Sequence, residues 1–254
     1  MCEILYANEK RSDYENFYAL CPYCEYENIF NRVSDLESIE PITYRQVQCQ
    51  NTECRHDFKV NGDLANAAFE MLIYDCYDLY RKKKYSYCIL NLAQSCEVFF
   101  SLYIYITLAY KPFNREENST NELNRLISKI YEETKKYSYI KMQNIILNLL
   151  VEDIHPSNIE NSLEIINNIS NYASQPSRNK IEGIEDEELK TMLLELMDVN
   201  ISSLRNKVVH KFAYRPSEKE ASDSIEEIRR IILNLSRKLE IVGDDANVYI
   251  QNTH

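Results

Sequence analysis

The segment VFFSLYIYITLAY, residues 98–110, is the most apolar stretch of the chain. It is only 13 residues long and follows polar side chains at Asn91, Gln94 and Glu97. A segment this short, with polar groups so close, does not match the thickness of a bilayer. We therefore expect no membrane association and read residues 85–110 as a long helix at the centre of a folded core.

Apolar residues recur at helical spacing on both sides of this helix, while the chain has only 3 glycines and 6 prolines. This pattern predicts a mainly α protein with little sheet. Ser217 and Glu220 have the spacing of a capping box, which marks the start of the last helix. The other predicted helices cover 63–83, 121–172 as two or three helices with a break at Pro156, 185–211, and 217–241.

At 254 residues the chain exceeds one typical domain, so we expect a main domain with a smaller appendage. The predicted division is a small β-rich module over 1–60, a helical domain over 61–242 and a flexible tail over 243–254. The first residues lack a basic segment followed by an apolar run, so no secretory signal is visible. We expect the protein to act in the cytoplasm.

Four of the 8 cysteines form two pairs, CPYC at Cys21 and Cys24 and CQNTEC at Cys49 and Cys54. Two tight turns that each offer two thiolates can supply the four tetrahedral ligands of a structural Zn²⁺ ion. The segment between the pairs alternates as short strands do, so residues 1–60 resemble a zinc ribbon. The second pair has a longer spacing than is usual, and His56 could replace Cys54 as a ligand.

Four cysteine ligands leave no open position for a metal-bound water, so this site predicts structure rather than catalysis. Residues 1–60 contain 6 Lys or Arg against 11 Asp or Glu, and this charge disfavours phosphate binding. The module therefore favours a role in folding, in holding a partner protein or in docking against the helical domain. Cys76, Cys88 and Cys96 lie in apolar helical patterns and are expected in the core.

A second unusual stretch is SLRNKVVHKFAYRPSEKE, residues 203–220, in a chain of net charge −11. Residues 199–217 contain no carboxylate at all. The same residues include several cations and one histidine. These are Arg205, Lys207, His210, Lys211 and Arg215. An acid-free cationic segment is what a phosphate-binding cleft requires, because a nearby carboxylate would repel the substrate.

The residue types suit cleavage of an RNA strand by its own 2′-hydroxyl. A histidine such as His210 can exchange protons near neutral pH. Arg205 can hold two phosphoryl oxygens with its planar guanidinium and needs no metal to do so. Asn206 lies four residues before His210, on the same helical face, and can fix the phosphate or the imidazole by a hydrogen bond.

Arg205, Asn206 and His210 form R-N-x3-H, which resembles the R-x4-H motif of HEPN domains. ILNLAQSCEVFF, residues 89–100, is similar to the second helix of that family, where an acidic residue such as Glu97 often lies near the motif. The resemblance implies a HEPN-like helical bundle with catalytic residues Arg205, Asn206, His210 and Glu97. It also implies a homodimer that cleaves RNA to leave a 2′,3′-cyclic phosphate.

Many relatives in the HEPN family are toxins or antiviral effectors, so the resemblance implies that a regulatory or antitoxin protein restrains the enzyme. The expected substrate is tRNA, rRNA or mRNA, contacted by Lys207, Lys211 and Arg215. Two alternatives stay open. His210 could be a helix C-terminal residue stabilised by the helix dipole. The chain could also be a non-catalytic HEPN dimer that acts as a scaffold for another protein.

Overall fold

The computed structural model describes most of the chain outside its two ends, namely residues 16–31, 35, 44–61, 68–114, 117–211 and 214–241. The chain divides into two compact units, residues 1–71 and 72–254. The predicted domain boundary after residue 60 stays a prediction. The helix start predicted at Asp63 and the tail predicted over 243–254 lie outside the described residues.

The first unit contains two antiparallel hairpins. Strands β1 (Asn16–Leu20) and β2 (Glu27–Asn31) form one, and β3 (Tyr44–Gln48) and β4 (Asp57–Asn61) form the other. Alternate residues along the strands point inward, because side chains change face at each step. The buried cluster of this unit is small and consists of Cys21, Phe30, Val47, Cys49, Phe58 and Val60.

The second unit is helical, which together with the small sheets confirms the predicted mainly α class. In chain order its α-helices are α1 (Ala68–Arg81), α2 (Tyr85–Tyr105), α3 (Thr120–Thr134), α4 (Tyr139–Val151), α5 (Ile159–Asn167), α6 (Arg178–Glu182), α7 (Glu187–Asp198), α8 (Ile201–His210) and α9 (Glu218–Lys238). A π-helical turn at Ile106–Tyr110 and a 3₁₀ turn at Ile169–Tyr172 complete the described helices. A HEPN-like arrangement of these helices stays a prediction.

Helix α2 forms the centre of the helical unit and contacts α4, α8 and α9. Phe99, Phe100 and Ile104 are fully buried on this helix. It continues into the π-helical turn, in which the backbone N–H of Lys111 donates to the carbonyl of Ile106 at 2.9 Å. The segment is long and apolar enough for a membrane span, but 67% of its most apolar window is buried inside the structure. The core-helix prediction is therefore confirmed.

The single helix predicted over 185–211 is wrong, because the chain forms α7 and α8 with a break between them. Val199 has extended backbone angles (φ −61°, ψ 132°) and is buried, and Asn200 precedes the first residue of α8. The break allows α7 to pack on α9 while α8 packs on α2. Asp198 and Asn200 flank this point, and both residue types favour helix ends over helix interiors.

The predicted start of the last helix is confirmed at α9. The Ser217 side chain accepts a hydrogen bond from the backbone N–H of Glu220, and the Glu220 carboxylate accepts one from the Ser217 N–H. Apolar residues at helical spacing along α9 are buried, namely Ala221, Ile225, Ile228, Ile232 and Leu235. The capping box and the apolar stripe thus fix the helix α9 that covers α2.

Buried amide side chains hold α4 against the loop that follows the 3₁₀ turn. The Asn148 side-chain amide donates to the carbonyls of Tyr172 at 2.8 Å and Ser174 at 2.7 Å. The Asn144 amide donates to the Ala173 carbonyl at 3.1 Å. Because these carbonyls have no helical partner, the amides replace the hydrogen bonds that a loop loses when it leaves water.

Candidate functional site

The four predicted metal ligands lie together in the first unit. The Sγ atoms of Cys21, Cys24, Cys49 and Cys54 are all within 4.8 Å of one another. All four are free thiols, with 3.7 Å between the sulfurs of Cys21 and Cys54 and between those of Cys24 and Cys49. The cluster could bind a metal ion, since four thiolates at this separation suit a tetrahedral ion.

The long spacing of the second cysteine pair has a structural reason. Gln50 lies in the extra turn and joins the two hairpins, because its side chain accepts from the Ile29 N–H and donates to the Ile29 carbonyl. The backbone N–H of Gln50 donates to the buried Asn28 side chain at 2.7 Å. Asn51 donates to the Cys24 sulfur at 3.7 Å. The extra residues therefore bind the first hairpin and one ligand.

His56 lies beside the cluster and does not replace Cys54. Its Nδ1 atom is 3.3 Å from the Cys54 sulfur, and its ring stacks on Tyr23 with 4.4 Å between centroids. A ring nitrogen at this distance can donate to a thiolate, which is how residues around a metal site commonly support its ligands. The geometry thus favours four cysteine ligands with His56 as a hydrogen-bond partner.

Two of the thiols, Cys21 and Cys54, have pKa values that are shifted in opposite directions because the cysteines share one small space. Burial raises the pKa of Cys21, but backbone and thiol hydrogen bonds outweigh it and lower that pKa to about 7. A backbone hydrogen bond at His56 lowers the pKa of Cys54, but burial and neighbouring thiols outweigh it and raise that pKa to about 12. Four thiolates therefore need a cation to offset their mutual repulsion, which a divalent metal would supply.

The R-N-x3-H residues lie along α8 in the second unit. Arg205 is half-buried and Asn206 is exposed, and Arg205 Nη1 donates to Asn206 Oδ1 at 3.2 Å. Among the described residues, the Arg205 guanidinium makes this hydrogen bond and no ion pair. His210 is the last residue of α8 and is exposed. All three side chains are thus at least partly open to solvent.

Arg205 and Asn206 open onto a cavity of about 490 Å³ between α2, α3, α4 and α8. Glu97 on α2 lines the same cavity, so three of the four predicted catalytic residues meet there. Its half-buried carboxyl has a raised pKa because burial disfavours the charged form, while the nearby Arg205 charge lowers it. Glu97 and Arg205 therefore interact electrostatically without forming an ion pair.

His210 is outside the residues that line this cavity, one turn beyond Asn206. Its neighbour Val209 is 49% exposed. The end of α8 therefore presents the imidazole and an apolar side chain to solvent together. A single protomer brings Glu97, Arg205 and Asn206 into one cavity and leaves His210 at its edge.

The predicted substrate-binding residues surround the turn after α8. The Lys207 ammonium lies 5.7 Å from the centroid of the Tyr214 ring, and Arg215 donates to the Tyr214 carbonyl at 2.7 Å. The Tyr214 hydroxyl donates to Glu220 at 2.8 Å. Lys211 and Arg215 are exposed. Tyr214 thus contacts Lys207, Arg215 and Glu220, which the sequence motif alone does not indicate.

Sequence reasoning missed the aromatic lining of the cavity. Tyrosines supplied by α2, α3, α4 and the turn between α3 and α4 lie around it, namely Tyr105, Tyr131, Tyr137 and Tyr139. The signal in the sequence was weak, since 20 tyrosines are spread along the chain and most helical ones suggest packing. Only the tertiary arrangement shows which of them face the R-N-x3-H residues.

Compared with models of known protein families, with curated proteins and with solved structures, the chain matches none. The resemblance to HEPN domains therefore stays a prediction carried by residues of α2 and α8.

Proposed function

We propose that this chain is a metal-independent endoribonuclease of HEPN type that cleaves RNA through the 2′-hydroxyl of the substrate. The observation that carries the proposal is the position of Arg205. Its guanidinium opens onto a cavity beside Asn206, makes no ion pair with a described residue, and belongs to a helix without carboxylates. A guanidinium held in this way can bind the oxygens of a backbone phosphate and stabilise their added charge.

In the proposed reaction a histidine removes the proton from the 2′-hydroxyl, and the 2′-oxygen attacks the adjacent phosphorus. The bond between phosphorus and the 5′-oxygen breaks, and a second acid protonates that oxygen. The products are a 2′,3′-cyclic phosphate and a free 5′-hydroxyl. One copy of the R-N-x3-H motif supplies one histidine for these proton transfers, so a homodimer that brings two copies together completes the site.

The exposed end of α8 supports this dimer. Val209, beside His210, would be covered by a second copy, as buried apolar contacts favour association. Glu97 acts in the proposal as a positioning residue, because its charge attracts Arg205 within the cavity. Lys207, Lys211 and Arg215 attract the RNA backbone on either side of the cleaved bond.

The cysteine cluster has a separate role in the proposal. Cys21, Cys24, Cys49 and Cys54 would hold a Zn²⁺ ion, which is the metal that four thiolates commonly bind. The ion would fix the two hairpins and supply no catalytic step. Because the first unit is acidic, it suits a protein partner better than RNA, and a regulatory or antitoxin protein is the proposed partner.

The experiment that tests the proposal compares wild-type protein with His210→Ala on tRNA and ribosomal RNA in the presence of EDTA. We expect wild-type protein to cleave RNA and the variant to lose at least about 100-fold in rate, because general acid-base catalysis contributes roughly 10²–10⁴-fold. Light scattering should show a dimer for both proteins.

Intact RNA with dimeric wild-type protein would contradict the nuclease and favour the scaffold function, in which His210 is only a residue at a helix end.

The place in the cell where the protein acts is part of the same proposal. A nuclease that takes tRNA or ribosomal RNA as substrate would act in the cytoplasm, where those RNAs are exposed.

A further inference from the structure

We infer that the cavity beside Arg205 and Asn206 binds an unstacked base of single-stranded RNA, next to the phosphate that Arg205 holds. The inference rests on the proposed function in taking RNA as the ligand. The cavity has a volume of about 490 Å³, within the range of roughly 300–1,000 Å³ that is usual for small-molecule pockets. A cavity of this size can hold one nucleotide. A base inside a duplex could not enter it.

The lining of the cavity suits a nucleobase, which has apolar faces and polar edges. Aromatic rings from Tyr105 and Tyr131 can stack on a base, and the pKa of Tyr105 is raised by burial and by its neighbour Tyr131. Hydroxyl groups that can bond the edge of a base come from Ser101, Thr134, Ser138 and Ser202. This mixture differs from the uniformly apolar lining of a packing defect.

Two large side chains at the cavity are unusually exposed. Tyr131 is 55% exposed and Ile140 is 47% exposed, although both line the same concave surface. Solvent-exposed aromatic and aliphatic groups that meet in a depression often mark a ligand site. In the bound state a base would lie against Tyr131 and cover part of this surface.

Two polar atoms of lining residues also lack a partner. The hydroxyl oxygens of Tyr137 and Tyr139 are fully buried, and neither finds a hydrogen-bond partner among the described residues. A buried hydroxyl without a partner costs free energy, so a ligand atom that bonds it would restore that loss. The edge of a base supplies both donors and acceptors for such a bond.

Cations surround the same tyrosines. The ammonium of Lys135 lies 5.5 Å from the centroid of the Tyr131 ring, and those of Lys136 and Lys141 lie 5.5 and 5.8 Å from the Tyr137 ring. Aromatic rings interleaved with cations are typical of surfaces that bind single-stranded nucleic acid. The cations can contact the phosphates that flank the bound base.

The test measures RNA binding and not RNA cleavage, so that the result for the base-binding cavity is separate from the result for the nuclease activity. A fluorescent single-stranded RNA of about ten nucleotides is titrated with His210→Ala protein, which leaves the cavity lining intact. Adding Tyr131→Ala is expected to weaken binding about tenfold or more, since loss of stacking on one base commonly has this effect. Tyr74→Ala is the matched control, because Tyr74 is 52% exposed and lies outside the cavity.

Tyr137→Phe provides a sharper second variant because it removes only the hydroxyl. If RNA does not bond that hydroxyl, the variant should bind RNA at least as tightly as the protein that keeps it. Its melting temperature should then also be unchanged or slightly higher. The inference expects an unchanged or higher melting temperature together with a loss of roughly threefold to tenfold in affinity. A purely structural role for Tyr137 would not separate the two measurements in this way.

Two results would overturn the inference. One is equal RNA affinity for Tyr131→Ala, Tyr137→Phe and the Tyr74→Ala control. The other is binding of adenosine monophosphate as tight as binding of the RNA, which would make the cavity a site for free nucleotides. If these variants weaken binding while wild-type protein leaves every RNA intact, the cavity assignment stands and the nuclease fails.

Discussion

Arg205→Lys is expected to lower the rate of RNA cleavage by about 100-fold or more while leaving the melting temperature nearly unchanged. Lysine keeps the positive charge but lacks the planar pair of donors that binds two phosphoryl oxygens. Removal of one donor to a developing oxyanion commonly costs about 10²–10³ in rate. Because Arg205 is half-buried at the cavity edge, lysine fits without a large packing change. Single-turnover cleavage of a labelled RNA measures the rate.

Arg229→Lys is the matched control for this variant. Arg229 lies on α9, where it forms an exposed ion pair with Glu226 at 3.9 Å and is outside the Arg205 cavity. Its replacement should leave the cleavage rate within about twofold, since surface substitutions of this kind have small effects. Equal rates for Arg205→Lys and wild-type protein would show that charge alone at this position suffices and would remove the bidentate role.

Cys49→Ser is expected to abolish metal binding and to unfold both hairpins of the first unit. Among the residues that the structure describes, the buried apolar cluster of this unit has six members, which is too little for a domain this small without a metal or disulfides. Metal binding to such modules supplies most of their folding free energy. Elemental analysis should find about one Zn²⁺ per wild-type chain and almost none in the variant. Hydrogen exchange should show loss of amide protection across 16–31 and 44–61.

Two further variants sharpen this prediction. Cys88→Ala lies in the helical unit, outside the cluster, and should keep the metal. His56→Ala should also keep the metal, with weaker affinity, because His56 contacts the Cys54 sulfur from outside the four-cysteine set. Full metal content in Cys49→Ser, or complete loss of metal in His56→Ala, would contradict the four-cysteine assignment.

The mainly α class and the cysteine cluster were predictable because each depends on local signals. The apolar run at 98–110 ends a long helix predicted over 85–110, so one segment largely determines the centre of the fold. The capping box at Ser217 and Glu220 marks a helix start through a bond between neighbours in sequence. The two cysteine pairs, Cys21 with Cys24 and Cys49 with Cys54, predict one shared site, because a common metal ion explains why each tight turn carries two thiols.

Features that depend on tertiary packing were not predictable in this way. The break at Val199 and Asn200 looked helical because the apolar stripe continues through it, but packing on two different helices outweighs local spacing. The side-chain bonds of Gln50 to the other hairpin follow from a register that no sequence pattern shows. Likewise Tyr131 and Tyr137 face the cavity only because the turn between α3 and α4 lies opposite α8.

The predicted site also combines residues that local sequence signals identify with an arrangement that depends on tertiary packing. Arg205, Asn206 and His210 could be grouped from spacing on one helix, and Glu97 through the resemblance of residues 89–100 to the second helix of HEPN domains. The structure brings Glu97, Arg205 and Asn206 to one cavity. His210 points beyond it, and its role depends on a second copy of the chain, which a single sequence cannot position.

The most direct test of the central claim is the chemistry of the cut ends. Wild-type protein is incubated in EDTA with a defined RNA and with the same RNA carrying 2′-hydrogen at the cleaved nucleotide, and mass spectrometry identifies the products. The proposed mechanism predicts a 2′,3′-cyclic phosphate and a 5′-hydroxyl from the first RNA and no cleavage of the second. Cleavage of the substituted RNA, or products with a 5′-phosphate, would contradict attack by the substrate's own 2′-oxygen.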